Sequence, residues 1–472
     1  MIKSDLAIWW IRRDLRLQDN PPLCAAAGQG RAIIPLFILD PEILRSRYHS
    51  DAGARRAFLL GGLRSLDADL RKRGGRLILR EGRPLEVLGR ILQETGAGLV
   101  YAAEDYSPYS LRRDAEIAGQ LPLRLMQGVS IIPPAALLKA DGRPYTVFTP
   151  FSRAWKAQTL PLSLDILSAP EKLSTPPDVG GEDIPDGAAT ETFVPGESAA
   201  RNRLELFMRG PVFHYAESRD QLAAVGTSQL SPYFRFGMLS AREAFVIAQN
   251  AIRSAEENAP ECRNVEKWIR ELIWREFYIS VLFHFPHVLG KEFSPTLRRV
   301  KWRKDAAQLR SWQQGSTGYP LVDAGMRELL GCGWMHNRAR MMVASFLVKD
   351  LLIDWHEGES WFMRHLIDGD PAANNGGWQW AAGTGTDAAP YFRIFNPVLQ
   401  GRRFDPKGTY IRTWVPELER VPLRYVHSPW EMPVSDQWKA GCRIGKDYPA
   451  PIVDHAQARE RALEAYQLTV DG

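Results

Sequence analysis

Residues 5–20 read DLAIWWIRRDLRLQDN. The opening run, DLAIWW (5–10), reads as a strand buried on both faces, because it is apolar without alternation. The run that follows, IRRDLRLQDN, is a charged loop. Residues 32–39 (AIIPLFIL) repeat the pattern and close on Asp40-Pro41. Between and beyond these runs the spacing changes. Apolar residues recur at helical intervals over about 52–73, where RKRGG is a stop signal. RLILR (76–80) is a third short strand, 84–95 a helix, GLVYAAED a fourth strand and RLMQ (124–127) a fifth. Strand and helix alternating in this way predict a doubly wound parallel sheet with helices on its faces. Ligands of such sheets sit at the carboxyl ends of the strands. Those ends carry Arg12, Arg13, Asp14, Asp40, Glu104 and Asp105, which are either ligand-facing or merely solvated. There is no G-x-G-x-x-G and no P-loop, so a standard dinucleotide or triphosphate site is not indicated.

From about 160 to 196 the chain turns to Pro, Gly, Ser and acids, and periodicity fades, as in a surface linker. From 198 onward nearly everything reads helical, with helices expected at 198–209, 240–256, 264–284, 305–314, 320–331, 335–355 and 358–367. The expected organisation is an α/β domain over 1–130, an inter-domain linker over 131–197 and an all-helical domain over 198–472.

The formal charge is +5, from 60 Lys+Arg against 55 Asp+Glu, so composition alone does not announce a nucleic-acid binder. Four Cys are scattered without a C-x-x-C pair, which argues against a zinc site and suits a reduced, cytoplasmic setting. The apolar run at the N-terminus is too short for a signal peptide, and no stretch is long enough to span a membrane. The unusual number is 15 Trp, of which twelve lie between Trp268 and Trp438. That density suits packing, planar ligands or the handling of electrons.

Four stretches carry chemistry. Residues 368–397, DGDPAANNGGWQWAAGTGTDAAPYFRIFNP, hold two acids, paired Asn, paired Gly and two Trp. Asp368 and Asp370 are costly inside unless they meet a cation or hydrogen-bond donors. Trp378 and Trp380, two apart on a helix, point roughly 200° from each other, one toward a ligand and one toward a cleft. Residues 225–240, VGTSQLSPYFRFGMLS, put the hydroxyls of Thr227, Ser228 and Ser231 in one loop suited to phosphate oxygens or to helix capping. On 268–286, Trp268, Glu271, Trp274, Arg275 and Tyr278 recur at helical spacing, like the wall of a pocket. On 333–362, Asn337, Arg340, Met341 and Ala344 share a face, with Arg340 suited to be the cation for Asp368. His336 reads as a structural hydrogen-bonder.

RRDLRLQDN, GTSQLSPYFRFG, ELIWREFY, TGYPLVDAGMREL, GWMHNRARMMVASFLVKDLLIDW, the 368–397 stretch and YPAPIVDH together resemble the DNA photolyase/cryptochrome family over residues 5 to about 455. Met335-His336-Asn337-Arg338 and Trp378-Gln379-Trp380 resemble the bacterial class I cyclobutane pyrimidine dimer photolyases most. The alternatives within the family are a (6-4) photolyase, which typically shows His-His in the first run, and a cryptochrome-type blue-light receptor, which an extended tail after 455 would favour.

The resemblance implies an α/β antenna domain and a helical domain binding FAD, active as the reduced anion. It implies flavin contacts from Tyr215, Thr227, Ser228, Gln229, Leu230, Ser231, Trp268, Glu271, Asn337, Arg340, Asp368, Gly369, Asp370 and Asn374, with Asn374 near N5. Gln229 departs from the Arg of many relatives. It implies that Trp274 and Trp380 stack on a flipped-out dimer, that Glu271 hydrogen-bonds it, and that Asn337, Arg338 and Met341 complete the pocket. Arg219, Arg275 and Arg393 are implied at the DNA rim. Trp378, Trp355 and Trp302 correspond to an electron relay. The implied partner is UV-damaged DNA, single- or double-stranded, met by a monomer. The antenna chromophore would be methenyltetrahydrofolate or an 8-hydroxy-deazaflavin, but Tyr106, Ser107, Pro108, Tyr109 and Ser110 match neither ligand pattern.

Overall fold

The computed structural model describes residues 6–28, 32–44, 53–159, 164–187, 192–254 and 259–471. Position 5 of the first expected strand, position 52, positions 255–256 and parts of the 160–196 segment lie outside them. The described chain forms two compact units. One is drawn from Met1–Tyr215, Ser228–Pro286 and Ile367–Ala372, the other from Ala216–Thr227, His287–Leu366 and Ala373–Gly472.

The first unit is built on five parallel strands, β1 (Leu6–Ile11), β2 (Ala32–Leu39), β3 (Ile78–Glu81), β4 (Leu99–Ala103) and β5 (Leu123–Met126), in the order β3-β2-β1-β4-β5. The doubly wound sheet expected from the alternation is therefore present, with its switch point between β1 and β4. Trp9 and Trp10 of β1 are both buried, because the central strand of a parallel sheet is covered on both faces. Helices Gly53–Arg71 and Pro84–Thr95 follow the sequence pattern, a further helix runs Pro108–Ala118, and Pro stands at the start of the last two, where no N–H is needed.

The charged loop after β1 is neither solvated nor open. Asp14, Arg16, Asp19 and Asn20 are all buried. Asp14 accepts from the Trp9 indole at 3.0 Å and from the Arg12 backbone N–H at 2.8 Å. Asn20 caps a helix at Pro21–Ala27 by accepting from the Leu23 N–H at 3.1 Å. Polar side chains with this many partners can be buried without the cost of stranded groups.

Within 131–197 the described residues form a short 3-10 turn, Pro134–Ala136, and an α-helix, Phe148–Thr159, whose Phe148, Phe151 and Trp155 are buried. The first unit also contains helices Glu197–Met208, Ser231–Phe236, Ala241–Ser254 and the 25-residue Pro260–His284.

The second unit packs its helices around one large apolar cluster that includes Trp312, Trp355 and Trp378. The single helix expected over 335–355 is divided. An α-helix runs Asn337–Ser345, a π-helical turn follows over Phe346–Asp350, and Leu352 takes a left-handed φ of 53°. The reason is tertiary: Arg303 captures the freed carbonyls, with its N–H on the Leu352 oxygen at 2.7 Å and its guanidinium on the Leu351 oxygen at 3.2 Å. Asp354 then caps a new helix, Trp355–His365, so the helix expected to begin at 358 begins at 355. The helices Pro371–Ala382 and His455–Asp471 complete the candidate site and the C-terminal region. Among the described residues no helix is long and apolar enough to cross a membrane.

Candidate functional site

In the first unit the Asp368–Asp370 loop is ringed by arginines. Arg13, from the loop after β1, reaches Asp370 at 2.5 Å and Asp105, at the end of β4, at 3.4 Å. Arg235 donates to the Gly369 carbonyl at 2.6 Å, and Arg55 to the same oxygen at 3.5 Å. Burial, with Arg235 nearby, lowers the Arg55 pKa to about 9, and burial beside Arg13 lowers that of Arg235 to about 10. Burial also acts on Arg13, but Asp370 and Asp105 outweigh it and hold its proton more tightly than usual. Asp368 is buried as well. The acids of the DGD motif thus lie in a strongly cationic setting.

Ser228 accepts from the indole N–H of buried Trp268 at 3.3 Å. Gln229 adopts φ 49° and accepts from the Arg203 guanidinium at 2.5 Å. A guanidinium therefore does reach this loop, supplied by another helix. Leu230 and Tyr215 are buried, and Ser231 is exposed. The pocket-wall helix, Pro260–His284, carries Glu271 and Trp274 half-buried. Arg275, expected at a DNA rim, turns inward: it donates to the Val129 carbonyl at 2.7 Å and pairs with Glu276 at 3.1 Å. Glu276 also accepts the Ile131 N–H at 2.8 Å, and burial raises its pKa to about 7.

From Ala373 onward the Pro371–Ala382 helix belongs to the second unit, and its side chains differ by face. Asn374 is buried and donates its amide to the Glu359 carbonyl at 3.0 Å. Asn375 and Gln379 tie the helix down through the Val288 carbonyl, at 2.9 and 3.0 Å. Trp378 is buried edge-on to Phe362 at 5.0 Å and to Trp312 at 6.0 Å, whereas Trp380 is half-buried. Gly358 makes this possible, since a Cβ there would collide with the Trp378 indole. Trp355 is fully buried and donates to Glu292 at 3.2 Å. Trp302 packs against the same cluster and meets Tyr466 edge-on at 6.1 Å.

Arg338 pairs with Asp220 at 2.8 Å, and Arg219 lies 3.8 Å from the same carboxylate. Asn337 and Arg393 are exposed, and Met341 is half-buried. Arg340 donates to the Met335 carbonyl at 2.8 Å. His336 caps its helix by accepting from the Arg338 N–H at 3.1 Å, and burial lowers its pKa to about 4, so it is neutral and structural. Arg13, Arg203, Trp312 and Gly358 were not singled out as site residues by sequence. Only Arg13, at a strand's carboxyl end, carried a signal that could have found it.

Residues 7–174 match the family model DNA photolyase, and residues 268–468 match the FAD binding domain of DNA photolyase. The chain belongs to the DNA photolyase family. Photolyases are flavoenzymes of light-dependent DNA repair, so this is an FAD-binding repair enzyme. It is 40% identical to a deoxyribodipyrimidine photo-lyase of Agrobacterium fabrum, with 98% of each chain covered. Among solved structures it is similar to a bacterial class III photolyase from Agrobacterium tumefaciens, with a TM-score of 0.92, 38% identity and coverage of 100% and 99%. It is also similar to a cryptochrome from Synechocystis sp. PCC6803, with a TM-score of 0.89, 30% identity and coverage of 98% and 99%.

The photolyase residues fit the cofactor. A reduced flavin carries a ring N–H, and Asn374, its amide nitrogen anchored on the Glu359 carbonyl, has a side-chain oxygen able to accept it. An anionic, phosphate-bearing ligand suits a site rich in guanidinium groups and hydroxyls. The switch-point crevice of the photolyase sheet is laced by the chain itself. Arg12 stacks 4.6 Å over Trp10 and holds Asp114 through two contacts of 2.6 Å, and Tyr109 bonds to Asp40.

Proposed function

We propose that this photolyase splits cyclobutane pyrimidine dimers in DNA. The observation that carries the reading is the full-length likeness to deoxyribodipyrimidine photo-lyases, joined to a helix with buried Asn374 and Trp378 and a half-open Trp380. Bound and reduced, FAD supplies a light-driven electron to the dimer and takes it back. The protein contributes geometry and electrostatics. A dimer stacks and pairs poorly, so it is cheaper to flip from the duplex than an intact step. Trp274 and Trp380 stack on the flipped bases. Glu271 hydrogen-bonds them and steadies negative charge there. Asn337, Arg338 and Met341 line the pocket, and Arg219 and Arg393 contact the phosphate backbone. Arg275 acts with Glu276 to hold the segment after β5, in addition to any rim contact.

Tyr215, Thr227, Ser228, Gln229, Leu230, Ser231 and Trp268 hold the cofactor's phosphate side. Arg340, Asp368, Gly369, Asp370 and Asn374 hold its ring side. Trp302, Trp355 and Trp378 pass an electron inward, because indole is among the most easily oxidised side chains. Residues 1–130, 131–197 and 198–472 serve as antenna domain, linker and catalytic domain. The enzyme works as a cytoplasmic monomer. A second, antenna chromophore would be methenyltetrahydrofolate or an 8-hydroxy-deazaflavin.

Oligonucleotides bearing a cyclobutane dimer or a (6-4) product, illuminated with the reduced protein, test this through recovery of intact thymines. Recovery only from the cyclobutane lesion is expected. Dimers that persist under blue light would leave the cryptochrome-like reading, which the Synechocystis neighbour keeps in play.

A further inference from the structure

Trp274 is not an isolated indole on a helix face. The ring of Phe148 lies against it with centroids 3.6 Å apart and planes within 1°. Phe148 is 1% exposed, and it meets Phe277 edge-on at 5.9 Å, as Phe151 does at 5.2 Å. Trp274 itself is edge-on to Phe277 at 5.7 Å and is half-buried. Above the Phe148 ring, at 5.2 Å, stands the guanidinium of exposed Arg270, one helical turn before Trp274.

Phe148 begins the helix Phe148–Thr159, which lies inside the expected inter-domain linker, 131–197. We propose that Phe148 is a positioning residue for lesion recognition, stacking behind Trp274 so that the indole is held in one plane with one face ready for a base. The inference rests on the reading of Trp274 as a platform for the flipped dimer. Its physical content is preorganisation. A free tryptophan must give up rotamer freedom when a base stacks on it, and an indole already stacked on a buried ring has given that up in advance. The stack also makes the platform one-sided. One face belongs to Phe148, so a lesion base can take only the other. Arg270, its guanidinium 5.2 Å from the Phe148 centroid, adds a positive charge beside the stack.

The test uses the full-length flavoprotein with a thymine-dimer oligonucleotide and its undamaged counterpart. Phe148→Leu keeps apolar bulk and removes the flat ring, and Phe148→Tyr keeps the ring. Leucine is expected to weaken dimer binding roughly three- to tenfold, the range of an aromatic pair's contribution. Affinity for undamaged DNA, flavin content and repair yield at saturating substrate should stay as in the parent. Tyrosine should recover dimer affinity to within about twofold, as expected if ring stacking is the lost term. A role in folding alone would lower flavin content, or shift both DNAs together. The inference is overturned if the leucine protein, fully loaded with flavin, binds the dimer as tightly as the parent, or if tyrosine and leucine weaken binding equally. Trp274→Ala separates the two levels. If it loses dimer affinity while Phe148→Leu does not, only the role of Phe148 falls. If it too leaves dimer affinity intact, the platform reading falls and takes the inference with it.

Discussion

Trp378 and Trp274 are each a tryptophan in the middle of a helix, and their surroundings differ in kind. Trp378 is enclosed on every side, with Phe362 and Trp312 edge-on and Gly358 cleared to admit it. Trp274 is backed on one face and half-open on the rest. An electron carrier gains from a dry, rigid setting that changes little when its charge changes. A docking platform gains from a fixed plane and an unfilled side. The difference in packing suits the two jobs proposed for these residues, which residue type does not distinguish.

The contrast can be broken most severely at the enclosed site. Trp378→Ala should cost about 3–5 kcal/mol in stability, because the cavity cannot collapse. Trp274→Ala should cost less than half of that, and denaturant unfolding of the two proteins compares them directly. Equal losses would erase the distinction.

The enclosed region also holds a lysine. Lys349 lies in the π-helical turn, buried, with its ammonium 3.6 Å over the Tyr466 ring and 3.1 Å from the Ala382 carbonyl. Burial lowers its pKa to about 7 from the ordinary 10.5. Between those values the unfolded chain binds a proton that the folded chain lacks, so stability rises with pH across that window. The burial penalty is fully present below pH 7 and fades toward pH 10.5. Lys349→Met should remove this rise. Its advantage over the parent should be on the order of a few kcal/mol near pH 6 and should shrink as pH increases. Parallel unfolding titrations at several pH values read the difference.

Gly358→Ala is gentler. The added methyl meets the Trp378 indole and should cost about 1–3 kcal/mol, the usual range for overpacking. A shift in Tm with flavin content monitored would show whether the indole yields. The smallest effect sharpens the open site. Trp274→Ala should weaken binding of dimer-containing DNA by about 1–3 kcal/mol, the worth of one base on one aromatic. Binding to undamaged DNA is the control, and a loss shared by both would mean that the indole serves the protein's surface generally.

The sheet was legible because buried parallel strands write themselves as unbroken apolar runs, and LAIWWI and AIIPLFIL leave little else to conclude. The division of the 335–355 helix was not, because the carbonyls that end it are taken by Arg303, which local spacing cannot show. The charges after β1 read as open in sequence. In the fold, Asp14, Arg16, Asp19 and Asn20 satisfy one another or nearby backbone. The acids, amides and tryptophans of 368–380 stood out as types that an ordinary helix does not need. What escaped was their support. Phe148 lies far from Trp274 in sequence, and Gly358 looks like any helix glycine until the indole beside it is seen.

The Arg13–Asp370 pair joins residues 357 positions apart, and the short segment Ile367–Ala372 belongs to the same compact unit as the N-terminal sheet. On a ribosome adding about 5–20 residues per second, Arg13 emerges roughly 20–70 seconds before its partner is made. Until then the buried arginines converging on that segment have no acid loop to receive them. The N-terminal half should therefore wait in an unfinished state, exposed to chaperones and proteases, and close only when translation is nearly complete. In this chain, the Asp368–Asp370 loop is also the last piece of the unit that was started first.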